Sequence, residues 1–120
     1  MAKNLEIAVL LDFYGEMLTE KQRDFLGYYY NDDLTLSEIA ENEGITRQGV
    51  RDAIKRAENQ LVEMENRLGH VKRFDELREG IARMVQCATD IHEHNLRTSL
   101  SREINDSTVE IQSIALSLFE

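Results

Sequence analysis

Five side chains between residues 47 and 56 have the chemistry of a nucleic-acid-binding surface. The guanidinium groups of Arg47 and Arg51 can each form two hydrogen bonds with guanine, and the amide of Gln48 can pair in the same way with adenine. Lys55 and Arg56 suit the phosphates of a nucleic-acid backbone. The chain of 120 residues has a formal net charge of −9, so attraction to a polyanion has to come from a local patch such as this one.

A helix through this segment would separate the basic side chains from an apolar face. With about 100° between successive residues and Arg47 as the origin, one set of side chains falls between about 0° and 100° and the apolar set between about 240° and 340°. The first set, which we call the basic stripe, consists of Arg47, Gln48, Arg51 and Lys55, and Arg56 lies behind it near about 180°. The apolar set consists of Val50, Ala53, Ile54, Ala57, Leu61 and Met64. The alternative interpretation is a solvated helix face, half of whose charge Asp52 and Glu58 could neutralise.

The residues before the basic stripe fit the first half of a helix-turn-helix. Ile39 and Ala40 fall on the inner face of a preceding helix, and Gly44 suits a tight turn. Ile45 is the expected buried residue of that turn, and Val50 follows five residues later. In this motif the second helix enters the major groove with its N-terminal residues at the base edges. The first residues of the basic stripe would take that position.

Local signals predict the helices that have to position this motif. A first helix is expected over residues 4 to 14, stopped by Gly15, with an inner face made of Leu5, Ala8, Val9 and Asp12 or Phe13. Two pairs have the capping-box form and predict the starts of the next two helices: Thr19 with Gln22, and Thr35 with Glu38. The second helix is expected to bury Phe25, Leu26 and Tyr29.

The fourth helix is expected to begin at the N-cap Thr46 and to run well past the motif, with a break at Gly69. We therefore predict a helix-turn-helix domain over residues 1–72 and a helical extension over residues 73–120. The extension carries apolar residues at steps of three and four: Leu77, Ile81, Met84, Ala88, Ile91, and later Leu100, Ile104, Ile111, Ile114 and Leu118. Such narrow stripes suit helix packing or a dimer seam, so we predict a homodimer. Ser107 with Glu110 predicts the start of a short last helix.

The histidines, the cysteine and the paired aspartates give little indication of metal binding or catalysis. His92 and His94 lie two residues apart, so on a helix they point away from each other, and we predict no metal site. Cys87 is expected to be a small buried residue of a reducing compartment. Asp32 and Asp33 precede a helix N-terminus, which favours negative charge. We find no nucleophile with its base and no phosphate-binding glycine loop, and therefore predict neither an enzyme nor a cofactor.

Composition favours an all-α protein. The sequence has no proline and only six glycines, and 31% of its residues are charged. Its first residues carry acids within the apolar stretch, which does not fit a signal peptide. No run of apolar residues is long enough to span a membrane, and we expect a cytoplasmic protein.

The segment from Asp12 to Leu61 resembles the bacterial YlxM family of small proteins with a sigma-like helix-turn-helix. The resemblance rests on short motifs: Asp12-Phe13-Tyr14, Leu18-Thr19, Lys21-Gln22-Arg23, Tyr29-Tyr30, Asp32-Asp33-Leu34, Glu38-Ile39-Ala40, Arg47-Gln48 and Ile54-Lys55-Arg56. The same stretch is more loosely similar to the promoter-reading fourth region of sigma factors. The resemblance implies short helices that end in a recognition helix, without a cofactor. It also implies an accessory role in the signal recognition particle pathway, because the family's genes commonly lie beside those of the particle and its receptor.

Two functions remain open. The first is a non-enzymatic regulator that binds nucleic acid, either promoter DNA or the RNA of the signal recognition particle, through the basic stripe and Arg56. The second is a protein-interaction module that binds the GTPase of the particle through its acidic surface and makes no contact with nucleic acid. Three acids on the first helix of the motif are unfavourable near a phosphate backbone: Glu38, Glu41 and Glu43.

Overall fold

The computed structural model describes residues 2–119. The chain is all-α, with a helix-turn-helix core followed by amphipathic helices, and the described residues contain no strand. The helices are α1 (Leu5–Tyr14), α2 (Glu20–Leu26), α3 (Leu36–Glu43), α4 (Arg47–Leu68), α5 (His70–Arg97) and α6 (Arg102–Leu118). A 3₁₀ turn (Gly15–Met17) follows α1, and a π-helical turn (Gly27–Asn31) follows α2.

The helix starts follow from side chains that satisfy the first backbone N–H groups. Both predicted capping boxes are confirmed: Gln22 N donates to Thr19 Oγ1 over 3.2 Å and Thr19 N donates to Gln22 Oε1 over 3.1 Å. The same reciprocal pair joins Thr35 and Glu38, with both distances at 3.1 Å. Each box supplies partners for donors that would otherwise remain unpaired.

Two glycines set the ends of α3 and α4. Gly44 has φ 68° and Gly69 has φ 65°, both in the left-handed region, which other residues adopt only with strain. The predicted break at Gly69 is confirmed, because α4 ends there and α5 begins at the next residue.

The structure divides into two compact units between Val71 and Lys72. In the N-terminal unit, α1, α2 and α3 pack against α4. Its core consists of Ile7, Leu10, Leu11, Tyr14, Leu18, Phe25, Leu26, Tyr29, Leu36, Ile39, Ala40, Val50, Ile54, Ala57 and Leu61. The burial predicted for α2, α3 and α4 is therefore confirmed.

The predicted inner face of α1 is wrong. The buried side chains are Ile7, Leu10, Leu11 and Tyr14, whereas Leu5 is 80% exposed. The segment is apolar on almost every side, so periodicity could not select a face. The contact with α4 selects it, because Tyr14 reaches Glu65 there and donates a hydrogen bond over 2.5 Å.

Three further predictions are corrected. Ile45 is 39% exposed, since its backbone continues the turn while the core is closed by Ile39 and Val50. Cys87 is exposed on α5. The last helix begins at Arg102 instead of Ser107, because Ser101 accepts a hydrogen bond from Ile104 N over 3.3 Å and caps it.

In the C-terminal unit α5 and α6 run antiparallel. Gln112 Nε2 donates to Thr89 Oγ1 over 3.0 Å, and nearer the connection His92 Nδ1 lies 2.9 Å from Thr108 Oγ1. Asn95 closes the connection, because it exchanges two hydrogen bonds of 2.9 Å with the backbone of Ser101. Among residues 2–119 no helix is long and apolar enough to cross a membrane.

Candidate nucleic-acid interface

Helix α4 is fixed to the N-terminal unit by its apolar side. Val50, Ile54 and Leu61 are fully buried, and Ala53 and Met64 pack partly buried against the same core. The predicted division of this helix into an inner and an outer face is therefore confirmed. A helix held over four turns in this way gives its outer side chains a defined orientation.

The basic stripe lies on the outer side of α4. Arg47, Gln48 and Lys55 are exposed and Arg51 is half-buried, while Arg56 is exposed on the other flank of the helix. The ion pairs found across residues 2–119 join Lys3 to Asp33 and Arg67 to Glu63, so neither involves these cations. The positive charges of the stripe are thus available to an external anion.

The two carboxylates that could have neutralised the stripe have other partners. Asp52 accepts a hydrogen bond from Gln48 Nε2 over 2.9 Å, one turn away on α4. Glu58 accepts one from the Tyr30 hydroxyl over 2.6 Å. One of the two N–H groups of the Gln48 amide is therefore used by Asp52, and the other is available to donate to a base.

The start of α4 depends on a glycine inside the helix. Gly49 N donates to Thr46 Oγ1 over 2.9 Å, which forms the predicted N-cap. A Cβ at position 49 would lie only 3.1 Å from that oxygen and 3.8 Å from Ile45 Cδ1. Glycine at this position therefore allows the cap and the turn to approach the helix closely, which offsets its low helix propensity.

Tyr30 positions α4 relative to α1, a role that we did not predict from the sequence. Its hydroxyl donates to Glu58 and accepts a hydrogen bond from Asn4 N over 3.4 Å, so the π-helical turn connects the middle of α4 to the start of α1. Burial, followed by the bond to Glu58, raises the pKa of Tyr30 well above its usual value. Tyr29 beside it is buried. The run of three tyrosines at residues 28–30 is the sequence feature that could have indicated this role.

A second network lies at the other end of α4. The Tyr14 hydroxyl donates to Glu65 Oε1 and accepts from His70 N over 3.0 Å, and the same carboxylate oxygen accepts from Val71 N over 3.1 Å. These oxygens satisfy the first N–H groups of α5, for which the sequence offers no N-cap of its own. Burial and the bond to Glu65 raise the pKa of Tyr14.

Lys3 pairs with Asp33 and lowers the pKa of that carboxyl group. Within residues 2–119, no group of three or more His, Cys, Asp or Glu side chains is arranged to hold a metal ion.

The chain is similar in sequence to known helix-turn-helix proteins. The family model described as "Putative helix-turn-helix protein, YlxM / p13 like" (UPF0122) matches residues 1–106. A UPF0122 protein of Thermoanaerobacter sp. (strain X514) is 38% identical over 112 residues, which cover 93% of this chain and 96% of the relative. A UPF0122 protein of Clostridium kluyveri is 46% identical over 84 residues (68% of this chain and 76% of the relative). Another, from Desulforamulus reducens, is 42% identical over 80 residues, which cover 67% and 68%.

Proposed function

Because the chain belongs to the UPF0122 family of YlxM/p13-like helix-turn-helix proteins, we propose that it is a non-enzymatic regulator that binds nucleic acid through α4. The observation that carries this proposal is the basic stripe, which is exposed and has no intramolecular ion pair among the described residues of a chain of net charge −9. An acidic protein that gathers four cations within residues 47–56 of one helix concentrates its attraction for a polyanion there. The function requires no cofactor.

The side chains divide between two roles. Arg47, Gln48 and Arg51 belong to the first turns of α4, the end that reads base edges in a helix-turn-helix complex. Lys55 and Arg56 lie further along and would bind phosphates, which fix the orientation of the helix without reading sequence.

DNA and RNA would use this surface differently. The major groove of a DNA duplex admits the helix, so the forked hydrogen bonds of Arg47 and Arg51 can select bases. The major groove of A-form RNA is too deep and narrow for side chains to read. An RNA target would therefore be bound at phosphates or in loops, where the positive charge matters more than the geometry of the guanidinium.

The biological setting follows from the family resemblance. We place the protein in the cytoplasm, as an accessory of the signal recognition particle pathway, with the RNA of the particle or promoter DNA as its target. We further propose that it acts as a homodimer, because two recognition helices on one assembly would double the number of phosphate contacts.

A second function has its own supporting observation. Glu41 and Glu43 are exposed on α3, directly before the motif, and they would lie close to any phosphate backbone that α4 approached. If that acidic surface is the binding surface, the partner is a basic protein, and the GTPase of the signal recognition particle is the candidate.

A titration with a matched control separates the two functions. Labelled duplex DNA and the RNA of the particle are titrated with the wild type, with Arg47→Ala/Arg51→Ala, and with Arg97→Ala/Arg102→Ala, which removes the same charge from exposed positions outside α4. We expect the α4 variant to lose at least about tenfold in affinity while the control stays within about twofold. Circular dichroism of each variant checks the fold. If neither nucleic acid binds at low salt and the purified GTPase does, the second function is correct.

A further inference from the structure

The C-terminal unit has almost no apolar core of its own. Within Lys72–Phe119 the buried residues are Ala88, Asn95, Thr108 and Ala115, so two are small and two are polar. Large apolar side chains of both helices remain exposed instead. A pair of helices that buries so little apolar surface needs a further partner to be stable.

Three polar pairs join α5 and α6 over the part of the two helices nearest their connection. The pairs Thr89–Gln112, His92–Thr108 and Asn95–Ser101 lie where the two helices face each other. These hydrogen bonds fix the register of the two helices. They also leave large apolar residues of each helix outside the contact.

Helical geometry places six of these exposed apolar residues, three from each helix, on one common side. Measured from the centre of the polar contact, Leu77, Met84 and Ile91 of α5 lie roughly 55–95° away. Ile104, Ile111 and Leu118 of α6 lie roughly 60–100° away in the same rotational sense, whereas the exposed Leu96, Val109 and Leu116 lie in the opposite sense. In an antiparallel pair, an equal rotation away from the contact in the same sense points to the same side of both helices. The apolar residues of α5 and those of α6 therefore lie on one side of the pair. We call this surface the shared face: Leu77, Met84 and Ile91 from α5, with Ile104, Ile111 and Leu118 from α6.

The shared face is built in three layers. Each helix repeats its apolar residue every seven positions, and antiparallel pairing sets Leu118 near Leu77, Ile111 near Met84, and Ile104 near Ile91. Seven-residue spacing on both helices is the pattern of four-helix bundles, in which each layer takes side chains from all four helices. The two helices supply half of every layer.

We propose that the shared face binds the same face of a second copy and completes a four-helix bundle. This inference rests on the homodimer proposed above and names its surface. The six side chains are 40–63% exposed. The face is about 22 Å long and about 20 Å wide, or roughly 450 Å² in projection, which is more than half of the roughly 800 Å² that each partner buries in a stable interface.

Three features are consistent with a second copy as the partner. A face with equivalent layers on both sides of its centre is complementary to itself after a two-fold rotation, as a symmetric dimer requires. Glu103 and Glu110 are exposed on α6 beside its part of the shared face, and their charge opposes an anionic lipid surface. Gly80 borders the face on α5, where a Cβ would meet nothing within 4 Å, so a neighbouring helix can approach.

Two substitutions on α6 provide a matched test. Ile111 is 45% exposed in the central layer, and Val109 is 47% exposed on the opposite side of the same helix. Sedimentation equilibrium without nucleic acid should give the wild type about twice its mass of 13.9 kDa at micromolar concentration. Ile111→Glu should raise the dimer dissociation constant at least roughly a hundredfold, because a symmetric interface would bury the charge twice. Val109→Glu should change it by less than about threefold.

The test stays decisive if Ile111→Glu unfolds the C-terminal unit. Met84→Ala, in the same layer on α5, removes contacts without adding charge and should weaken the dimer by a smaller factor. A wild type that remains monomeric, or equal weakening by Ile111→Glu and Val109→Glu, would overturn the proposal. Failure of the nucleic-acid function is distinguishable, because it would leave these masses unchanged.

Discussion

The dependence of binding on salt gives the sharpest test of the surface on α4. Four cations, Arg47, Arg51, Lys55 and Arg56, are available on this helix. If each neutralises one DNA phosphate, the logarithm of the affinity per chain should fall with the logarithm of salt concentration with a slope of about −3.6. Raising the salt from about 50 to 200 mM then weakens binding by about 150-fold.

Removing one phosphate contact should change that slope by a known amount. Lys55→Gln should reduce its magnitude by about 0.9, so that the same increase in salt weakens binding by only about 40-fold. On single-stranded RNA the wild-type slope should be about −2.8, because each contact releases less counterion. Fluorescence anisotropy at three salt concentrations measures all of these slopes.

The control is Arg97→Gln, which removes one exposed charge from the end of α5. It should leave the slope within about 0.2 of the wild-type value, since its charge makes no phosphate contact. If Lys55→Gln and Arg97→Gln reduce the slope equally, the attraction comes from the charge of the whole protein. The assignment of phosphate contacts to α4 would then be wrong.

Two further predictions concern stability. Tyr14→Phe keeps the buried ring, which is 1% exposed, but removes the hydroxyl that joins Glu65 to the start of α5. The variant should lower the thermal midpoint of unfolding, measured by calorimetry, by about 10 °C. Its affinity for nucleic acid should not change. An unchanged midpoint would show that the network contributes nothing. Because the pKa of Tyr30 is raised above its ordinary value of 10.0, the folded state favours the neutral phenol. The contribution of Tyr30 to the free energy of unfolding should therefore be fully present below pH 10 and decline as the pH rises further. Tyr30→Phe should make the urea midpoint of unfolding less sensitive to alkaline pH.

The helix boundaries were predictable where the deciding interactions are local. Thr19 and Thr35 each meet a partner three residues away, so the sequence alone contains the whole capping box. Gly44 and Gly69 act through their own backbone angles. The two faces of α4 were predictable for a similar reason, since a long helix with clear periodicity has only one way to bury its apolar residues.

The predictions were wrong where the local sequence allowed two faces or two caps for a helix, or where the contact joins distant residues. α1 is apolar on almost every side, and only its contact with α4 selects the face that carries Tyr14. Ser107 has the form of a cap, but Ser101 is preferred because Asn95 already holds its backbone. The contact of Tyr30 with Glu58 joins residues 28 positions apart, so it depends on the fold and could not be derived from spacing.

The uneven distribution of apolar burial between the two units has a consequence for synthesis on the ribosome. Every large side chain that is fully buried belongs to the first 61 residues, so the N-terminal part has its complete interior before α6 has been translated. That part can reach its final form while the rest of the chain is still being made. In the proposed homodimer, α5 and α6 gain comparable burial only when two finished chains meet, and the yield of mature protein should then rise more steeply than in proportion to the rate of expression.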